Sequence, residues 1–164
     1  MARIFIAIRF NDEFKEVLVA IQNTLKDRGV QGNYCPYGNL HMTLAFIGES
    51  YDLTAIRKAV NEIEVKPFDL RLGNLGSFPT KSGVIWCGVK DENPVIELVN
   101  QLRERLSANV VSYKNTDYFP HISLVQHPST LLTDIQVPEI SMRIEEIFVM
   151  KSERIDGELI YSEI

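Results

Sequence analysis

The stretch LHMTLAFIG (residues 40–48) is written almost a second time as FPHISL (residues 119–124). Both copies alternate polar and apolar residues, a pattern typical of a β-strand with one face in the core. A histidine and the hydroxyl residue two positions later then share the other face. These pairs are His41 with Thr43 and His121 with Ser123. The apolar face is expected to carry Leu40, Met42, Leu44 and Phe46 in the first copy, and Pro120, Ile122 and Leu124 in the second.

Around these two strands, the hydrophobic periodicity predicts the order β-α-β-α-β-β-α-β-β-β. The residues 3–10 form an apolar strand, and the segments FDLRLGNLGSF and GVIWCGVK form two strands joined across the turn-rich PTKSG (79–83). Strands follow one another without intervening helices, and no glycine-rich phosphate loop is present, so a regular βαβ nucleotide fold is disfavoured. The sequence therefore predicts an α+β fold with mainly antiparallel sheets.

Length and composition predict a single domain over residues 1–164. The chain has 45% hydrophobic and 24% charged residues, as in an ordinary globular protein. Its net charge of −5 and lack of a basic cluster argue against duplex nucleic acid as a partner. No apolar run is long enough to cross a membrane, and two widely spaced cysteines suit a reducing compartment. We expect a cytoplasmic monomer without membrane association.

Two imidazoles and two hydroxyls would suit in-line displacement at phosphorus if the two strands lie side by side. One histidine can take a proton from the attacking group while the other gives a proton to the leaving group, because imidazole titrates near neutral pH. The hydroxyls can donate hydrogen bonds to the equatorial phosphate oxygens. Attack of water on a 2′,3′-cyclic phosphate fits this set best. The scheme requires no metal or other cofactor.

Other interpretations of these residues stay open. A His-x-Thr pair on a strand can be a half-buried polar pair without a catalytic role, and a zinc or iron site would need a third ligand that no recognisable spacing offers. His127 precedes Pro128 at a predicted strand end and is expected at the surface or rim. Trp86 is expected in the core. Three aromatic residues near the motif strands could line the mouth of the site or pack inside: Tyr34, Tyr118 and Phe119.

With RIFIAI at residues 3–8, NLHMTLAFIGE at 39–49 and YFPHISL at 118–124, the chain resembles the two-histidine (2H) phosphoesterases. The resemblance is closest to the RNA 2′,3′-cyclic phosphodiesterases, which are also called 2′-5′ RNA ligases, and it covers nearly the whole chain. It implies two lobes related by a pseudo-twofold axis, with helices packed outside the sheets. Both motifs would then lie in the cleft between the lobes.

The resemblance also implies a reaction and a role for each histidine. Members of this family hydrolyse 2′,3′-cyclic phosphodiesters to 2′-phosphomonoesters, and some join or split 2′-5′ RNA linkages. By this likeness His41 would be the proton donor and His121 the proton acceptor, while Thr43 and Ser123 would bind the substrate. RNA 3′ ends with a cyclic phosphate, or small cyclic nucleotides, would be the substrates. Two alternatives are a hydrolase of another small nucleotide, such as a cyclic-phosphate ADP-ribose derivative or a 2′-5′ oligoadenylate, and a non-catalytic module that binds phosphate ends.

One position departs from the family pattern. Related sequences usually carry an arginine after the second motif, where this chain has Gln126. Strict alternation would turn Gln126 away from His121. If the arginine pocket persists, Gln126→Arg is expected to lower KM for a cyclic nucleotide. Otherwise the phosphate charge would be met by another basic residue, such as Arg3, Arg9 or Lys151.

Overall fold

The computed structural model describes residues 2–49, 51–78 and 83–164. Its elements follow the predicted order, with the two-residue strand β2 added. Of the predicted turn PTKSG, all but Gly83 lies outside the described residues. The elements are β1 (Arg3–Arg9), α1 (Asp12–Asp27), β2 (Asn33–Tyr34), a short 3-10 helix (Tyr37–Asn39), β3 (His41–Gly48), α2 (Leu53–Asn61), β4 (Phe68–Phe78), β5 (Val84–Val89), α3 (Asn93–Ala108), β6 (Ile122–Gln126), β7 (Ser141–Ile144), β8 (Phe148–Ile155) and β9 (Glu158–Glu163).

In the described part of the chain, the strands form two antiparallel sheets. The first has the order β3-β1-β8-β9 and the second the order β2-β6-β5-β4-β7. Together with the helices, they make the α+β fold that the sequence predicts. Apart from β2, the two sheets have matching strand positions: β6 corresponds to β3, β5 to β1, β4 to β8 and β7 to β9. The motif strands β3 and β6 therefore occupy corresponding positions, which gives the molecule its pseudo-twofold character.

The helices link corresponding strands and bury their apolar stripes. The helix α1 lies between β1 and β3 in the chain, and α3 lies between β5 and β6. The Asn11 side chain caps α1 by accepting a hydrogen bond from the Phe14 N–H at 2.9 Å. The helix ends before Gly29, whose φ of +86° suits glycine. A helix thus fixes where each motif strand begins relative to the strand beside it.

A hydrophobic core shared by both sheets holds the motif strands in place. It includes fully buried residues from strands of either sheet and from every helix, among them Ile4, Leu18, Ile56, Ile85 and Leu102. Burial of each such side chain contributes about 1.5–3 kcal/mol. No helix in the described residues is long and apolar enough to span a membrane.

Candidate active site

The four motif residues lie together in the structure. His41, Thr43, His121 and Ser123 all line a cleft of about 1500 Å³. His41 and Thr43 stand on β3, Ser123 stands on β6, and His121 comes directly before β6. Because β3 contacts β6, the cleft runs along the junction of the two sheets. The four motif residues, which the sequence predicts to converge, thus lie in one cleft.

A β-bulge interrupts both motif strands at the same point. On β3 the extra residue is Leu44, because the residues on either side of it pair with consecutive residues of β1. On β6 the extra residue is Leu124, for the same reason against β5. In each strand the extra leucine and the residue after it are both buried. The alternation of faces consequently shifts by one residue beyond each bulge.

The bulges bring Phe46 and Gln126 onto the cleft. Phe46 is 52% exposed and lines the cleft, so its predicted place on the apolar face is wrong. Gln126 also lines the cleft, although strict alternation would turn it away from His121. The physical reason is the same for both, since the two-residue period fails past an extra residue. The sequence signal that could have revealed this is the pair of consecutive apolar residues, Leu-Ala and Leu-Val, inside each alternating pattern.

Buried polar contacts hold the bulged strands. The Gln22 side chain of α1 donates from Nε2 to the Leu124 carbonyl at 2.9 Å and to the Cys35 carbonyl at 3.0 Å. On the other motif strand, the Tyr118 hydroxyl donates to the Thr43 carbonyl at 2.8 Å. Tyr118 begins the quoted stretch YFPHISL and was expected to line the site or pack inside, whereas Gln22 was not singled out from the sequence. Its only sequence signal is a glutamine within the otherwise apolar stripe of α1.

Each histidine makes the same kind of hydrogen bond, from Nδ1 to the backbone carbonyl two residues earlier. His41 Nδ1 lies 2.7 Å from the Asn39 carbonyl oxygen, and His121 Nδ1 lies 2.7 Å from the Phe119 carbonyl oxygen. A carbonyl can only accept, so Nδ1 carries the proton and donates in both rings. In the neutral imidazole, Nε2 is then the nitrogen that can accept a proton. Each ring is thus fixed in the tautomer that general base chemistry at Nε2 requires.

The second contact differs between the histidines. His41 Nε2 lies 2.7 Å from Thr43 Oγ1, so the threonine hydroxyl donates to the neutral ring. Among the described residues, no corresponding hydrogen bond reaches Nε2 of His121. Thr43 is therefore engaged with its histidine, whereas the Nε2 atom of His121 is available to a substrate or to water.

Both histidines are biased toward the neutral form. Burial lowers the pKa of His41, the charge of His121 lowers it further, and the bond to the Asn39 carbonyl opposes these effects. Burial also lowers the pKa of His121, against the bond to the Phe119 carbonyl. The effect of His121 on the pKa of His41 means that protonation of one ring disfavours protonation of the other. The pair therefore favours states with at most one positive charge, as one acid and one base require.

Aromatic rings surround each imidazole. The His41 ring packs against both Phe5 and Tyr161, with centroid distances of 5.0 and 5.1 Å, and these two rings also contact each other at 5.2 Å. The His121 ring lies 5.0 Å from Phe78 and 6.4 Å from Trp86. These rings restrict the imidazoles and reduce their contact with water, which accounts for the lowered pKa values.

The aromatic residues named in the sequence analysis lie closer to the site than the sequence alone could show. Trp86, expected in the core, lies half-buried among the rings beside His121. Phe119 is 40% exposed and packs on Trp86 with centroids 4.8 Å apart. Tyr34 lines the cleft itself. His127 is exposed, as predicted.

Cations and anions are nearly balanced along the cleft. The lining includes Arg3 and Arg154 together with Glu49, Glu153 and Glu158. Arg3 is paired with Glu49 at 3.2 Å. Arg154 donates to the Gly157 carbonyl at 3.2 Å and forms no ion pair with any described residue. Arg154 is therefore the cleft cation with the least competition from neighbouring carboxylates.

The three basic residues suggested from the sequence fit the role less well. Arg3 lines the cleft but is paired, as described above. Arg9 lies 3.1 Å from Glu163, and Lys151 lies 3.1 Å from Glu153. Neither Arg9 nor Lys151 is among the residues that line the cleft. Sequence reasoning missed Arg154, which lies near the end of β8 and lines the cleft, because nothing in the sequence indicates which strand end reaches the cleft. The described residues contain no group of three or more His, Cys, Asp or Glu side chains that could hold a metal ion.

Comparisons with known proteins agree with this architecture. Residues 12–156 match the family model described as the 2′-5′ RNA ligase superfamily. The RNA 2′,3′-cyclic phosphodiesterase of Methanocaldococcus jannaschii is 30% identical over 125 residues, which cover 74% of this chain and 69% of that protein. The protein of the same name from Methanothermobacter thermautotrophicus is 29% identical over 180 residues, with 99% and 96% covered. The crystal structure of E. coli LigT in apo form has a TM-score of 0.82 at 25% identity, covering 99% of this chain and 94% of that one.

Proposed function

Since this chain belongs to the 2′-5′ RNA ligase superfamily, we propose that it hydrolyses 2′,3′-cyclic phosphodiesters at RNA ends to 2′-phosphomonoesters without a metal ion. The observation that carries the proposal is the pair of imidazole and hydroxyl sets in one cleft, each imidazole held through Nδ1 by a backbone carbonyl. This arrangement supplies one proton acceptor and one proton donor on opposite lobes. In-line displacement at phosphorus needs both.

In the proposed reaction, His121 is the base and His41 is the acid. Nε2 of His121 removes a proton from water, whose oxygen forms a bond to phosphorus. The bond from phosphorus to O3′ breaks, and protonated His41 gives its Nε2 proton to O3′. The products are a 2′-phosphomonoester and a 3′-hydroxyl. The free Nε2 of His121 suits the base, and the role of His41 as the acid is what the resemblance to the family implies.

Thr43 can change partners during this cycle. In the neutral ring, the Thr43 hydroxyl donates to His41 Nε2. Once His41 is protonated, Nε2 becomes a donor, and the Thr43 hydroxyl is released to donate to an equatorial phosphate oxygen. Ser123 supplies the second hydroxyl from the other lobe. Negative charge on the phosphorane oxygens would thus be met by hydroxyl donors and by Arg154 at the cleft wall.

An RNA end fits the cleft better than a small nucleotide alone. The cleft of about 1500 Å³ exceeds the roughly 300–1,000 Å³ typical of small-ligand sites. Phe46, exposed on the cleft face, offers a ring on which a base can stack. The 5′-hydroxyl of a second RNA could replace water as the nucleophile, which would give a 2′-5′ linkage by the same proton transfers.

Turnover of 2′,3′-cyclic AMP and of an oligoribonucleotide with a 2′,3′-cyclic phosphate tests the proposal. We expect both to yield the 2′-phosphate, with the oligonucleotide preferred and EDTA without effect. His41→Ala and His121→Ala should each lower kcat about 10²–10⁴-fold. The exposed His127 is a matched control, and His127→Asn should retain wild-type turnover.

Three results would count against the proposal. Saturable binding of the oligonucleotide without turnover would favour a phosphate-end binding module. Turnover of small nucleotides with rejection of the oligonucleotide would favour a small-nucleotide hydrolase. Activity abolished by EDTA and restored by zinc would indicate metal catalysis.

A further inference from the structure

The Asn39 side chain forms two hydrogen bonds with β9, the outer strand of the first sheet. Its Nδ2 donates to the Leu159 carbonyl at 2.9 Å, and its Oδ1 accepts from the Tyr161 N–H at 3.3 Å. These backbone groups belong to β9 and lie two residues apart. A neighbouring strand would occupy such a donor and acceptor in the same way. The Asn39 amide thus takes the place of an additional strand beside β9.

Asn39 is also a buried polar residue at the cleft. It is 8% exposed and lines the cleft next to the first motif strand. Buried amides are costly unless their donors and acceptors are paired. Both polar ends of the Asn39 side chain are paired, and both partners are on β9. The position of Asn39 is therefore fixed by a strand more than a hundred residues away in the sequence.

The backbone of the same residue holds a reacting group. The Asn39 carbonyl accepts the hydrogen bond from His41 Nδ1 at 2.7 Å. The Tyr161 ring, on the strand that Asn39 grips, packs edge-on against the His41 ring at 5.1 Å. The imidazole is consequently held by two contacts, from a carbonyl and from a ring, and one side chain fixes both relative to each other.

The second lobe shows what this arrangement adds. At the corresponding position, the Phe119 carbonyl accepts from His121 Nδ1, and the Phe119 ring stacks on the His121 ring with centroids 6.0 Å apart and packs on Trp86. Among the described residues, no side-chain amide links residue 119 to a distant strand as Asn39 is linked to β9. The two histidines therefore differ in how firmly the residue two positions before each one is held. The proposed function also gives these two histidines different roles.

We propose that Asn39 is a positioning residue for His41, whose side-chain amide locks the carbonyl that sets the imidazole tautomer and locks the Tyr161 ring against the same imidazole. The proposal rests on the proposed function where it concerns kcat. An amide fixed at both ends limits the angular freedom of His41 Nε2, and small misplacements of a reacting group are expensive in rate.

Nitrogen-detected NMR of the imidazoles can test this inference without any turnover. The chain has only three histidines, so each ring can be assigned. In the wild type we expect His41 to be in the Nδ1–H tautomer when neutral. In Asn39→Ala the Nδ1–H fraction of His41 should fall while that of His121 stays unchanged. With 2′,3′-cyclic AMP, kcat should fall about tenfold or more, with a smaller change in KM.

Asn109→Ala is the matched control. Asn109 also makes two side-chain hydrogen bonds, because its Nδ2 donates to Glu62 Oε1 at 2.6 Å and to the Arg105 carbonyl at 2.9 Å. It lies at the end of α3, outside the cleft lining. Its loss should lower thermal stability and leave the His41 tautomer and kcat unchanged. A folded Asn39→Ala protein with wild-type His41 tautomer and wild-type kcat would overturn the inference. If the wild type lacks turnover, the proposed function fails, and the tautomer measurement still decides the role of Asn39.

Discussion

At the scale of single residues, the two motif histidines occupy equivalent positions in their motifs but differ in their hydrogen bonds. Each donates from Nδ1 to the carbonyl two residues earlier. His41 additionally accepts from Thr43 and packs against the adjacent rings of Phe5 and Tyr161. His121 keeps Nε2 free of any hydrogen bond to the described residues. This difference distinguishes the two rings, to which the proposed function gives the roles of acid and base.

The lowered histidine pKa values predict an acidic optimum for kcat/KM. The base must be neutral, so the rate is lost as pH falls below its pKa. The acid must be protonated, so the rate is lost as pH rises above its pKa. Burial lowers the pKa of both His41 and His121, so we expect a bell-shaped profile with its maximum below the ordinary histidine value of about 6.5. A maximum above that value in the free enzyme would contradict this prediction.

The same titration can be observed by fluorescence without substrate. Trp86 is the only tryptophan, and its ring lies 6.4 Å from His121. A protonated imidazole quenches a nearby indole, so emission should fall as pH drops through the pKa of His121. The midpoint should lie below about 6.5 and should disappear in His121→Gln.

Sequence reasoning identified four residues that line one cleft but not the residues that hold them in place. The doubled motif identifies His41, Thr43, His121 and Ser123, because a two-residue spacing on a strand can be read directly. Asn39 and Gln22 could not be identified in this way. Their partners lie on strands and loops distant in the sequence, and a single polar residue near a motif does not indicate what it will contact.

At the scale of elements, the bulges in β3 and β6 decide what the cleft displays. Each adds one residue after the hydroxyl and so turns Phe46 and Gln126 toward the cleft. Without the bulges, the exposed aromatic ring and the amide would both face the core side. The order of helices and strands along the chain was predictable from hydrophobic periodicity. The bulges were not, because two consecutive apolar residues are also compatible with a regular strand end.

The bulge in β6 supports a prediction for Gln126→Arg. The side chain at this position already lines the cleft, so a guanidinium there can reach a bound phosphate. A charged donor exceeds a neutral one by about 1–2 kcal/mol, and KM for 2′,3′-cyclic AMP should fall accordingly. Gln136→Arg, at an exposed position away from the cleft, controls for the added charge. An unchanged KM in Gln126→Arg would mean that another cation, with Arg154 as the first candidate, already neutralises the phosphate.

At the scale of the whole molecule, the charge distribution limits how the proposed RNA substrate could be held. The chain has a net charge of −5, and the cleft lining contains two arginines against three glutamates. Such a surface cannot follow a polyanion over many phosphates. Recognition by shape, by stacking on Phe46 and by contacts to the terminal phosphate is consistent with these charges.

This distribution predicts a weak dependence on salt. Each phosphate contact to single-stranded RNA changes the logarithm of affinity with the logarithm of salt concentration by a slope of about −0.7. For a cyclic-phosphate oligonucleotide we expect a plot of log kcat/KM against log salt concentration to have a slope shallower than about −1.5. Such a slope corresponds to no more than about two phosphate contacts. Measurements between low and physiological salt will decide this. A slope near −3 would indicate an extended track for the RNA backbone.

The contact between Asn39 and β9 has a consequence for colloidal behaviour. The strand β9 stands at the outer edge of its sheet, and it carries the exposed apolar residues Leu159 and Ile160. An open edge of this kind is a template for pairing with another chain and for aggregation. The Asn39 amide occupies the Leu159 carbonyl and the Tyr161 N–H, so an incoming strand would have to displace a buried side chain before it could pair in register. The residue whose carbonyl accepts from His41 thus also occupies two of the edge groups that such pairing would use.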